Sequence, residues 1–160
     1  METHDPALRE HLLELLRGGS AHLDFEKAIG GLRPDLRGVR PPGASHSVWE
    51  LVEHLRICQW DILEFSRSAD HVSPKWPEGT WPPNPAPPDE EAWERSLASF
   101  RSDLQAMQHL VADPSVDLYA RIPWGDGQTV LREALLVADH NAYHLGQIVL
   151  VRKLLGDWGG

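Results

Sequence analysis

The chain has 160 residues, which fits one domain over residues 1–160 and is enough to bury a core without staples. Twenty-four acids against 15 bases give a formal charge of -9, a surface that repels phosphate backbones and disfavours DNA or RNA as a partner. No apolar run approaches the roughly 20 residues of a membrane helix. Cys58 is the single cysteine, so no internal disulfide can form.

In chain order, Asp5-Pro6 reads as a helix start with Asp as cap and Pro at the first helical position. Leu8, Leu12, Leu15 and Leu16 follow at helical spacing. Gly18-Gly19 interrupts the run, and Ser20 is placed to cap a continuation through Leu23, Ala28, Ile29 and Leu32. One kinked helix and two helices both fit this pattern. Residues 33–45, rich in Pro and Gly, form a loop. Ser47 and Glu50 then have capping-box spacing, and Val48, Leu51, Val52, Leu55, Ile62 and Phe65 mark one face of a second helix that fades near Asp70. Residues 73–88 are too proline-rich for a regular helix or a central strand, and Trp76 and Trp81 are expected to pin this long connection to the body. Asp89-Glu90-Glu91 opens a third helix through Trp93, Leu97, Phe100, Leu104 and Met107, ended by Asp113-Pro114. A loop over 115–128 leads to a last helix that starts at Gln128 or Thr129 and is stopped by Gly156. Four main helices with long connections predict an all-α four-helix bundle, with the helix order open.

Nine histidines are the unusual feature of the composition. His140 and His144 are four residues apart, which on a helix puts both rings on one face. Such a pair can bind a metal ion, and it is also common without one. His54 lies on the stripe Ser47, Leu51, His54, Cys58, Asp61, bordering the apolar face of the second helix. It reads equally as a third ligand brought across the bundle or as a satisfied core histidine. Gln147 is placed to bond to bound water, and Asp61 or Glu133 to orient an imidazole. Cys58 is a soft fourth ligand or a small core residue. His22 is a further acid–base candidate. His4, His11, His71 and His109 are assigned to solvent, and His46, just before the helix cap, is left open. No catalytic residue is assigned.

The segments HSVWELVEHL (46–55), IPWGDGQTVLREALL (122–136) and ADHNAYHLGQIVLVRKLLGDW (138–158) resemble the DinB/YfiT-like family of metal-dependent proteins. The resemblance implies a four-helix bundle whose metal triad falls on His54, His140 and His144. It also implies frequent homodimers, and links to thiol-dependent transferases and isomerases.

Three neutral imidazoles leave a divalent ion, zinc or nickel, with its full charge and an open position, as in catalytic sites. Such an ion lowers the pKa of water to about 7 or holds a thiol as thiolate. The function expected is a metal-dependent transferase or hydrolase acting on a small molecule, with a low-molecular-weight thiol as cosubstrate. The alternatives are a non-catalytic metal or small-ligand binding module, and a helical interaction protein stabilised by its metal. Walls for a pocket are expected from the Trp76–Trp81 loop, the Ile122–Trp124 loop and the first helix near His22. Met1 to Asp5 carry no basic stretch leading into an apolar one, so the cytoplasm is the expected compartment.

Overall fold

The structure, a computed structural model, describes residues 6–159. Five α-helices run over Pro6–Arg17 (α1), Phe25–Ile29 (α2), Val48–Arg67 (α3), Glu90–Ala112 (α4) and Val130–Leu154 (α5), with 3-10 turns at Pro34–Leu36 and Glu78–Thr80. The fold is all-helical. An isolated bridge between Arg121 and Thr129 is the one β-type pairing among the described residues. No helix is long and apolar enough to cross a membrane.

Local chemistry sets the helix ends. The proposed Asp5 cap and His4 lie outside the described residues. α1 stops where Gly18 and Gly19 take φ values of 70° and 89°, a left-handed path that glycine follows without a Cβ penalty. The chain therefore makes two helices here. Ser20 does not cap the second: its hydroxyl donates to Glu14 at 2.9 Å. Two left-handed residues turn the backbone before it can re-enter a helix, so the cap falls to Asp24, whose Oδ1 accepts from the Lys27 amide at 2.9 Å. α3 begins at the full capping box: the Glu50 amide donates to Ser47 Oγ at 3.2 Å, and the Ser47 amide to Glu50 Oε2 at 2.8 Å. Asp89 and Thr129 cap α4 and α5.

α1, α3, α4 and α5 form a four-helix bundle. α4 and α5 each pack on both α1 and α3 as ring neighbours. Two core clusters fix the directions. One joins Val48, Leu51, Val52 and Leu55 of early α3 to Trp93, Leu97 and Phe100 of early α4, and to Leu145, Ile148 and Val151 of late α5. The other joins Leu63 of late α3 to Met107 and Val111 of late α4 and to Val130, Ala134 and Val137 of early α5. α3 and α4 are thus parallel, and α5 is antiparallel to both. A 20-residue α3 is about 30 Å long, so the crossover from α3 to α4 must travel back along the bundle.

That crossover lies alongside α3 and runs against it. His71 Nε2 meets Asp61 Oδ1 at 2.7 Å, His54 Nδ1 meets the Thr80 carbonyl at 2.7 Å, and the Ser47 hydroxyl donates to the Pro85 carbonyl at 2.5 Å. Near its end Gly38 packs so tightly on it that a Cβ would sit 2.7 Å from Ala86 Cα. The proline-rich sequence suits this strap, because it needs few backbone donors and holds an extended course.

Candidate metal centre

The capping box fixes the start of α3, and two turns later His54 projects towards α5. His140 and His144 project back from α5 one turn apart. His54 and His144 are buried and His140 is half-buried. Their ring centres form a triangle with sides of 4.9 Å (His54–His140), 4.7 Å (His54–His144) and 4.5 Å (His140–His144). Three imidazoles bound through nitrogen to one tetrahedral zinc at about 2.0–2.1 Å would place their centres about 5 Å apart. The two Nε2 atoms of His54 and His140 are 3.1 Å apart. Two nitrogens on one such ion lie about 3.3 Å apart.

Second nitrogens are held. The Thr80 carbonyl can only accept, so His54 Nδ1 carries the proton and Nε2 keeps its lone pair. His144 Nδ1 donates to Gln147 Oε1 at 2.6 Å, which leaves its Nε2 available in the same way. Burial pushes the His54 ring down to about 4 and the His140 ring down to about 3, with the neighbouring imidazoles adding to both shifts. Burial lowers His144 as well, against the opposing effect of its hydrogen bond to Gln147. At neutral pH the cluster is therefore uncharged, the state in which imidazole is a ligand.

Cys58 lies one turn beyond His54. His54, Cys58 and His140 bring two nitrogens and a sulfur within 4.8 Å of one another, a group able to hold a metal ion. Burial pushes the Cys58 thiol up to about 12. Its Sγ is 3.6 Å from His54 Nδ1 and 3.8 Å from Nε2. Near-equal spacing puts the sulfur abreast of the ring, off the axis of the Nε2 lone pair.

Trp81 roofs the cluster. Its indole stacks on His54 with ring centres 3.8 Å apart and planes 4° apart, and it stacks on His46 at 4.0 Å. Trp81 is the main pin of the crossover; Trp76 is 68% exposed and meets the His54 ring only tilted, with ring centres 6.3 Å apart. Several sequence expectations are corrected. Gln147 holds the His144 ring, since its oxygen is one turn away on the same face. Asp61 orients His71, which the strap carries against α3 with its side chain out of solvent. Buried Glu133 pairs with Arg132. The Ile122–Trp124 loop belongs to the opposite end of the bundle, where Trp124 Nε1 donates to the Phe65 carbonyl at 2.7 Å. His22 is exposed, with Nδ1 on the Leu23 carbonyl at 2.8 Å. The Thr80 carbonyl was invisible in the sequence because any residue supplies one. The stacking of His46 and Trp81 depends on the path of the strap, which has no periodicity to read.

No match was found among curated proteins or among solved structures. A family model described as the DinB superfamily matches residues 19–148, a span that includes α3, α4, most of α5 and all three histidines. With that match covering most of its length and an all-helical bundle around the histidine cluster, the chain belongs to the DinB superfamily.

Proposed function

We propose that His54, His140 and His144 together hold one divalent ion, zinc or nickel, and that the protein is a metal-dependent transferase or hydrolase acting on a small molecule. The observation that carries this reading is the triangle of neutral rings, two of them with their far nitrogens tied to Thr80 and Gln147. When bound, the ion supplies Lewis acidity that favours the deprotonated form of a water or of a low-molecular-weight thiol cosubstrate. The chain's own residues do the rest. Thr80 and Gln147 fix ring orientation, and Trp81 shields the His54 face from water. Three protein ligands leave a coordination position for substrate.

A second reading is favoured by the position of Cys58. If its side chain turns onto the ion, four protein ligands close the site, and the protein is a metal-binding module without catalysis. Cobalt(II) loading separates the two. An open three-nitrogen site gives d–d bands without sulfur charge transfer, and adding a small thiol then produces the charge-transfer band. A sulfur band before any thiol is added supports the closed site. A thiol-transfer and hydrolysis panel, run with and without metal, tests the chemistry. Turnover that persists after complete metal removal from folded protein rules out metal-based catalysis.

We also propose a homodimer. Leu15, Leu135 and Tyr143 on the adjacent helices α1 and α5 are exposed, and a second copy would cover them.

A further inference from the structure

α3, α4 and the returning crossover form the walls of an open cleft of about 560 Å³. α3 contributes Arg56, Ile57 and Trp60, α4 contributes Asp103, and Pro74 and Gly79 of the crossover form the third side. Close packing sets that third wall: a Cβ on Gly79 would lie 2.9 Å from Pro74 Cβ. None of the three histidines of the candidate metal centre lines this cleft.

Asp103 is a half-buried carboxylate that makes no hydrogen bond and no ion pair among the described residues. The arginines near it on α3 are already paired. Arg56 gives Nε and Nη2 to Glu53 at 2.7 and 2.9 Å, and Arg67 pairs with Glu64. Each glutamate neutralises its arginine, so the Asp103 charge is left uncompensated. Burial raises the Asp103 carboxyl; Glu64 adds to the shift, and Arg67 and Arg56 oppose it. Glu53 also accepts from the Ser96 hydroxyl at 2.5 Å, which anchors the Arg56 guanidinium on the Glu53 side. Arg56 Nη1 makes no bond among the described residues, and it feels the Asp103 charge without touching it. The Arg56 side chain is 28% exposed, and neither its Nη1 nor an Asp103 oxygen is sealed from solvent. Two opposite charges thus line one open cleft, each with hydrogen-bonding capacity unused.

We propose that this cleft binds a free α-amino acid with an apolar side chain: its ammonium on Asp103, its carboxylate on Arg56 Nη1, and its side chain against Ile57 and Trp60. A zwitterion bridges two charges that do not reach each other. It supplies the cation that Asp103 lacks and an acceptor for the free guanidinium nitrogen, and it adds no net charge. Both contacts are charge-assisted, the stronger class of hydrogen bond. The Trp60 indole offers an apolar face to the side chain and a favourable neighbour to an ammonium. The site does not depend on whether the histidine cluster holds a metal.

The test titrates L-phenylalanine, 3-phenylpropanoate and 2-phenylethylamine into 15N-labelled protein and follows the Trp60 indole N–H. Phenylalanine carries both charges, the second probe lacks the ammonium, and the third lacks the carboxylate. Phenylalanine should give a saturable shift with a Kd on the order of millimolar, as its few heavy atoms allow. Each single-charge probe should bind at least ~5-fold more weakly. Two variants should then cross with the probes. Asp103→Asn should weaken phenylalanine by ~5-fold and leave 3-phenylpropanoate, which has no ammonium to lose, within about twofold of the parent. Arg56→Lys keeps a cation for Glu53 but lacks Nη1; it should weaken phenylalanine by ~5-fold and leave 2-phenylethylamine within about twofold. A variant that merely loosened the fold would weaken all three probes together. No saturable shift, equal affinity for the three probes, or an Asp103→Asn variant with a native-like spectrum that binds phenylalanine as the parent does would each overturn the proposal.

Discussion

Gln147→Leu isolates the orientation of one imidazole. Leucine has nearly the volume of glutamine, so packing changes little, but the 2.6 Å bond from His144 Nδ1 is lost. The ring can then rotate and change tautomer, so its free nitrogen is no longer held in one place. Deleting one neutral hydrogen bond costs about 0.5–1.5 kcal/mol. Removing a group that orients a metal-bound histidine costs about 10- to 100-fold in metal affinity or activity, or about 1.4–2.7 kcal/mol. On the proposed metal reading this loss falls in metal affinity, because Gln147 bonds to the ring; a partner of bound water would instead lower the rate at unchanged metal content. Competition with a chromophoric chelator measures the metal Kd of parent, Gln147→Leu and Gln147→Glu. Glutamate keeps an acceptor at the same position and should retain parent affinity or exceed it. A leucine variant within threefold of the parent, or a glutamate variant as weak as leucine, would refute the reasoning.

Acid should destabilise the metal-free protein. The His54 and His140 values of about 4 and about 3 lie below the ordinary value near 6.5, so between these limits the unfolded chain binds more protons than the folded one. Stability is then fully present above about pH 6.5 and is lost as pH falls through the folded values, by up to about 1.4 kcal/mol per pH unit for each ring. Urea unfolding at pH 7 and pH 5 checks this, and a parent with the same midpoint at both would contradict it. At the other end of the bundle, buried Arg9 donates to the carbonyls of Val111, Asp113 and Val116 at 2.5, 3.0 and 2.6 Å. Arg9→Met should cost about 3 kcal/mol or more in stability, because charge-assisted bonds to buried carbonyls are lost together, while metal affinity stays at the parent level. Light scattering should give twice the 18.0 kDa chain mass, and a monomer mass at every concentration would contradict the dimer.

Much of the bundle was legible because its signals are local. Ser47 with Glu50 is a capping box that spacing identifies, the acidic run from Asp89 marks the start of α4, and the start of α5 was narrowed to Gln128 or Thr129, of which Thr129 is the cap. His140 and His144 share a face by helix geometry. The direction of the helices was not legible. It is fixed by which halves of α3, α4 and α5 share a core, and pairings of that kind leave no mark in any one segment. The same gap hid the strap. Its prolines announced an irregular segment but not that it runs back along α3, carrying Thr80 to His54 and His71 to Asp61. Trp124 was misplaced for a related reason: its loop precedes the helix with the histidines, yet early α5 sits at the far end of an antiparallel pair.

Elemental analysis of protein produced without a histidine tag tests the central claim most directly. The account predicts about one zinc or nickel ion per chain. It predicts a loss of that metal when His54, His140 and His144 are all replaced by alanine, with the helical circular dichroism signal kept. A folded triple variant that retains the parent's full metal content would contradict it.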